Sequence, residues 1–289
     1  MNHKIKTILF KALALLPNKV DDYWYHKIQR HFDKSTLEDR LKSVEPTYLR
    51  LSKVLSDLNF DLKDKTIFEL GSGWFPAMPY FFKYKFGVKN VITVDINQHF
   101  KKETVLKINA LFSSKYKQEI IPDLNNEYGL PKEIDYKPNY NAVLNDFPAV
   151  DFVFSRYVLS HVNEDDVDAL HKNMKSQLKK GTFIAHFISP SDLRQHGDST
   201  LSLQDFLRYS KEEWNSIRTK FDYHNRFRLP QFIEIFKKYD LEILYLDYES
   251  LEKGSSRYEL FKKVKLHKDF INYTDEELTA GNILVVLKV

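Results

Sequence analysis

Cysteine is absent from all 289 residues, which removes disulfides, thiolate metal ligands and cysteine nucleophiles together and fits a reducing compartment. Long apolar runs are missing as well. The nearest approach, "TILFKALALLP" from Thr7 to Pro17, is short and interrupted by Lys11, where a bilayer span needs roughly 18 apolar residues. A signal peptide is not expected either. No small-residue cleavage site follows, and "NKVDDYWYHKIQRHF" (Asn18 to Phe32) continues as an amphipathic helix. Charge of one sign is not in excess: 44 basic and 40 acidic residues leave +4, too little for a global polyanion-binding surface, so no nucleic-acid partner is expected. There is no internal repeat and no low-complexity tract. The cytoplasm is the expected location.

What is present is enough apolar material, 43% of the chain, for one large α/β domain with additions. Residues 1–42 read as a helical N-terminal extension, either packed on the domain or free to meet a membrane surface or a partner. From Thr66 short β-like runs alternate with helix-length amphipathic segments, the pattern of βαβ units and a parallel sheet with helices on both faces. The runs are Thr66–Leu70, Val91–Asp95, Glu133–Lys137, Asp151–Ser155, Thr182–Ser189, a stretch from Leu241, and Asn282–Val289, seven in all. Ser113 to Lys132 reads as a helix end plus loop. Pro190 to Arg228 interrupts the rhythm after the fifth run and contains one strongly helical stretch, "SLQDFLRYSKEEWNSI". Insertions at strand C-termini tend to build substrate sites, so this one is expected to form a cap.

The first run ends in "IFELGSGWFP", Ile67 to Pro76. Two glycines one residue apart allow positive φ and a close backbone approach, but do not by themselves identify a ligand. A dinucleotide fingerprint needs a further glycine at position 76, which is Pro76, and the next helix begins with bulky residues. A Walker loop fails because no Gly-Lys-Ser/Thr follows.

Glu69, Gly71 and Gly73 at a strand end resemble the first motif of class I S-adenosylmethionine-dependent methyltransferases; the family's third glycine is replaced here by Phe75. Two more segments match. "VITVDIN" ends in Asp95, 24 residues after Gly71, where the family's ribose-binding acid stands. "NAVLNDFPAVDFVFSRYVLSHV" (Asn141 to Val162) is similar to the family's third-strand loop and fourth strand. The likeness covers about Lys65 to Ser189 and the terminal strands, roughly two thirds of the chain. It implies a Rossmann-like seven-stranded domain over 43–289, S-adenosylmethionine as cofactor, and methyl transfer as the activity. Glu69, Gly71, Ser72, Gly73, Asp95, Asn141 and Ser155 are then the cofactor-binding candidates, with Leu144 near the adenine.

The fourth strand leaves through "FSRYVLSH", without the Asp/Asn-Pro-Pro-aromatic tetrapeptide of base N-methyltransferases. A small molecule or glycan precursor, methylated on oxygen, is therefore the expected acceptor. In overall pattern the chain is similar to uncharacterised bacterial methyltransferases, and that likeness points to surface-polysaccharide intermediates. Arg156, Tyr157, Arg194 and Trp214 are the substrate-binding candidates. An alcohol acceptor must lose a proton, a task suited to histidine, and His196, His186 and His224 are the candidate bases, in that order. His161 reads as structural. His186, Asp192 and His196 lack strict ligand spacing, so no metal is expected. A non-catalytic binding protein on the same fold, and an NAD(P)-dependent oxidoreductase, are the rival readings.

Overall fold

The computed structural model describes residues 3–13, Trp24, 35–219 and 223–289. Most of the expected helical continuation at Asn18 to Phe32 lies outside them. Helix α1 (His3–Leu13) buries Phe10 and Leu13. Helix α2 (Leu37–Asp57) starts on a capping box in which Thr36 Oγ1 accepts from the Asp39 amide at 3.1 Å and the Asp39 carboxylate accepts from the Thr36 amide at 3.0 Å. This helix runs through residue 42, where the domain boundary is expected, and packs Leu41 and Val44 into the main core.

Seven strands follow: β1 (Thr66–Leu70), β2 (Asn90–Val94), β3 (Ile134–Lys137), β4 (Phe152–Arg156), β5 (Phe183–Ile188), β6 (Glu242–Glu249) and β7 (Gly281–Lys288). They form one sheet in the order β3-β2-β1-β4-β5-β7-β6. Strands β1 to β5 pair parallel, while β7 is antiparallel to both β5 and β6. The direction of winding reverses between β1 and β4, the point where open α/β sheets bind ligands at their strand C-termini.

Side-chain alternation divides the core in two. Ile67, Val91, Phe152, Phe154 and Phe187 pack under α2, α3 (Ala77–Tyr84) and α4 (Lys102–Tyr116). Phe68, Leu70, Val153, Ile184 and Val285 pack under α5 (Glu164–Gln177) and α7 (Leu229–Lys238).

The inserted region differs in two ways from its sequence reading. The stretch expected as one helix breaks into a 3-10 turn at Asp205–Arg208 and helix α6 (Lys211–Ile217). The break has a local cause: Ser210 caps α6, its hydroxyl accepting from the Glu213 amide and its own amide donating to the Glu213 carboxylate, at 3.1 and 2.7 Å. Helices α8 (Ser256–Lys262) and α9 (Asp275–Thr279), not anticipated from sequence, lie between β6 and β7. Their Phe261 and Leu278 join Phe206, Leu207, Trp214 and Phe270 in a third apolar cluster. The third cluster is thus built from two insertions.

Candidate active site

Immediately after β1 the chain turns through Gly71 (φ 77°) and Gly73 (φ 64°). The amides of Gly71 and Ser72 donate to the Val94 carbonyl at 2.9 and 3.0 Å, lashing the turn to the end of β2. Positive φ favours glycine at both positions, and Gly71 has a second reason. A Cβ there would stand 2.3 Å from Val158 Cγ2, so the loop leaving β4 rests on bare backbone. At Gly73 a Cβ would meet nothing within 4 Å, which leaves that side of the turn open. Gly71→Ala is therefore expected to cost about 2–3 kcal/mol of stability, strain plus clash, and Gly73→Ala only about 1 kcal/mol, as the left-handed backbone alone requires. Denaturant unfolding checks the pair; equal losses would show that Val158 yields at no cost.

Asp95 stands one residue beyond β2 and closes the turn. Its Oδ2 accepts from the Gly73 amide at 3.1 Å and its Oδ1 from the Asn97 amide at 3.0 Å. His99 Nε2 lies 3.5 Å from Oδ1, and the Trp74 ring stacks on His99 with centroids 5.0 Å apart. Oδ2, with one donor, can still accept a further hydrogen bond.

Glu69 is buried beneath the turn. The Thr93 hydroxyl lies 2.5 Å from Glu69 Oε2 and 2.7 Å from Ser72 Oγ, so one side chain of β2 links the acid to the loop. Burial pushes the Glu69 carboxyl up to about 8; the Thr93 hydrogen bond opposes this, the Asp95 charge adds to it, and Arg156 opposes it. At neutral pH Glu69 is mostly protonated. It orders the turn from below.

Arg156 ends β4 on the same face. Its Nε donates to Thr47 Oγ1 at 2.9 Å and its Nη2 to the Ser43 carbonyl at 3.1 Å, both on α2, and its guanidinium lies 4.4 Å from the Tyr157 ring. The expected substrate contact is thus occupied by α2. Tyr157 takes a left-handed conformation (φ 60°) and donates its amide to the Phe187 carbonyl at 2.7 Å.

Several expected roles are corrected by direction and burial. Ser155 and His186 are fully buried partners on β4 and β5, their side chains 2.7 Å apart under α5 and α7. Strand alternation points both into that packing layer, away from any cofactor or acceptor. Arg194 is consumed within the cap: Nη2 donates to Asp192 Oδ2 at 2.6 Å and to Asp205 Oδ2 at 3.1 Å, and Nε to Asp192 Oδ1 at 3.0 Å. No free guanidinium is left for substrate. Trp214 belongs to the third cluster, its Nε1 donating to the His224 carbonyl at 3.0 Å, and it also lines the cavity beside residues 223–226. Asn141 closes its own loop, its side-chain oxygen accepting from the Val143 amide at 2.9 Å, and Leu144 is 81% exposed. That loop is still fastened beside Asp95, whose carbonyl accepts from the Tyr140 amide at 2.9 Å. His196 is exposed at the end of the 3-10 turn Leu193–His196.

His224 is buried 4.3 Å, ring to ring, from the exposed His161, whose Nδ1 faces the Tyr223 carbonyl at 3.3 Å. Both belong to a neighbourhood tied to the β4 loop. The Asn225 amide donates to the Ser160 carbonyl at 2.9 Å, and its side-chain nitrogen to the Leu159 and Val162 carbonyls at 2.6 and 2.7 Å. A cavity of about 250 Å³ opens here between the first turn of α5, α6 and residues 223–226. Val158 of the same loop rests on Gly71, and the loop runs on to Asn163 at the cavity's edge.

Sequence reasoning missed Thr93, His99, Arg218 and the role of Val158. Thr93 was within reach, because it pairs with Glu69 in register and lies two residues before Asp95, on one face of β2. The others depend on tertiary contacts.

No family model matches the chain, and no curated protein matches it by sequence. Solved structures do match in shape. Magnesium protoporphyrin IX methyltransferase from Synechocystis, determined with bound S-adenosylhomocysteine, superimposes with a TM-score of 0.51 at 10% identity, covering 98% of this chain and 99% of that one. A Galdieria sulphuraria protein assigned as a sarcosine dimethylglycine methyltransferase gives 0.45 at 16% identity over 70% of this chain and 62% of its own. A Streptococcus thermophilus protein assigned as a hemolysin gives 0.43 at 14% over 84% and 65%. The chain thus spans under two thirds of the length of these last two. Strand order, the antiparallel β7 and the Synechocystis likeness define the fold as the Rossmann-like fold of class I S-adenosylmethionine-dependent methyltransferases.

Proposed function

We propose that the chain is an S-adenosylmethionine-dependent methyltransferase that methylates a hydroxyl of a small molecule or glycan precursor. The observation that carries this is the turn itself: Gly71 and Gly73 with positive φ, placed at the switch point between β1 and β4 and closed by Asp95. The residues fit the cofactor. Open space beside Gly73 leaves room for the amino-acid moiety against the turn, and the remaining acceptor capacity of Asp95 suits the ribose hydroxyls. When bound, S-adenosylmethionine supplies an activated methyl group, so the protein's task is to position the acceptor and exclude water. His224, buried and lining the cavity, is the candidate base ahead of the exposed His196 and the layer-buried His186.

Calorimetry with S-adenosylmethionine and S-adenosylhomocysteine tests the cofactor. Asp95→Ala is expected to weaken binding by about 1.5–3 kcal/mol, the scale of hydrogen bonds to a charged group; unchanged affinity in a folded variant would remove the ribose assignment. A methyl-transfer screen on nucleotide sugars and glycolipids then addresses the acceptor.

A further inference from the structure

We infer that the cavity beside the β4 loop is an anion site, taking the carboxylate or phosphate group of the methyl acceptor, with Arg218 and Arg226 as its anchors. The inference deepens the methyltransferase reading, and rests on it only in calling the bound molecule the acceptor.

The innermost anchor is Arg226, 5% exposed. Its Nη1 donates to the carbonyls of Phe206 and Tyr209, and its guanidinium lies 5.0 Å from the Phe270 ring. Among the described residues no carboxylate pairs with it. Beyond its carbonyl partners, Arg226 feels Glu164 and Asp269 only through space, with no ion pair among the described residues, and a buried cation held this way is costly unless an anion completes it. Arg228 repeats the pattern one turn deeper. It is fully buried, donates to the Arg226 and Leu278 carbonyls at 3.1 and 3.3 Å, and likewise has no carboxylate partner among the described residues. Burial first, and then the charge of Arg226, push its pKa down to about 9, with Asp192 opposing. The ground beneath the cavity is electropositive.

Arg218 forms the outer wall, with its guanidinium stacked 4.0 Å from the Tyr223 ring. A guanidinium held by its face keeps its edge for a forked contact to two oxygens. The remaining charges do not cancel this pair. Glu164 is already held by Lys211 at 2.8 Å, and Asp165 has no ion-pair partner among the described residues. The volume, about 250 Å³, falls below the usual range for drug-sized ligands and suits one small head group.

Trp214 lines the cavity and reports on it. The full chain is titrated with sodium phosphate and, separately, sodium acetate at constant ionic strength, following tryptophan fluorescence. At least one anion is expected to give a saturable change in the millimolar range, weakened about tenfold or more in Arg218→Ala. This variant alters a half-exposed side chain, so it stays informative even where Arg226→Gln does not fold. Saturation by phosphate alone assigns a phosphorylated acceptor, and saturation by acetate alone a carboxylated one. Saturation by neither, or equal affinity in Arg218→Ala, overturns the proposal. S-adenosylhomocysteine calorimetry on the same sample separates the two readings: retained cofactor binding without an anion response removes the cavity assignment alone, and the reverse removes the methyltransferase reading alone.

Discussion

Glu69→Gln is expected to gain about 4 kcal/mol in unfolding free energy relative to the unaltered protein as pH rises from 5 to 9. The wild-type carboxyl is held at about 8 by burial, against an ordinary value of 4.5. A raised acid pKa means that the folded state keeps a proton the unfolded chain has released. That contribution is fully present below pH 4.5 and is lost as pH climbs through 8, at about 1.4 kcal/mol per pH unit in between. Glutamine keeps the size of the side chain and an oxygen to accept from Thr93, but has no proton to lose. Comparing the two proteins at each pH cancels every other titrating group. Urea unfolding at half-unit steps measures the difference, and a flat difference would show that Glu69 is ionised in the fold, its charge met by Arg156.

All seven runs are strands; the central ones were legible because a parallel sheet buried on both faces demands short, continuous apolar runs, while β3 shows the alternation of a strand with one exposed face. The turn was legible for a backbone reason: positive φ beside a closely packed Val158 leaves glycine at position 71, whatever the rest of the chain does. Helices α8 and α9 were not read, although Thr274 and Glu277 carry the spacing of a capping box that the structure contains. They are short, seven and five residues, and their burial against Phe206 and Trp214 is a long-range event.

The candidate bases show where one-dimensional reasoning stops. His186 lies on a strand whose alternate residues Ile184 and Ile188 face α5 and α7, so counting by two places the histidine in that layer too. For Arg194 no such count exists. Its partner Asp205 is eleven residues away and meets it only because the cap folds back. Within Pro190 to Arg228, where His and Arg are dense, Arg194 pairs with Asp192 and Asp205 of the same insertion, while Arg218 and Arg226 line the cavity.

Acidification is expected to unfold the protein through a second buried pair, and His171→Leu to relieve part of the loss. His171 on α5 and His186 on β5 are both fully buried, with ring centroids 5.3 Å apart and Phe236 of α7 against both. Each satisfies one nitrogen: His171 Nδ1 meets the Val167 carbonyl at 2.7 Å, and His186 Nδ1 meets Ser155 Oγ at 2.7 Å. Both Nε2 atoms lack a partner among the described residues. Neither ring has a place for a second proton. Burial holds His171 down to about 4, opposed by the Val167 carbonyl and Asp168, while burial and then the neighbouring His171 hold His186 well below its usual range. A depressed histidine pKa means that the unfolded chain binds the proton first. The stability is therefore present above pH 6.5 and falls away as pH drops toward 4, by about 3 kcal/mol for His171 alone. Leucine has similar bulk and nothing to protonate, so the variant is expected to lie within about 1.5 kcal/mol of the wild type at pH 7.5. By pH 4 the difference between the two should shift by about 3 kcal/mol in the variant's favour. Thermal or urea unfolding across pH 7.5 to 4 reads this difference directly. A constant offset over the whole range would mean that the folded protein already accommodates an imidazolium at His171.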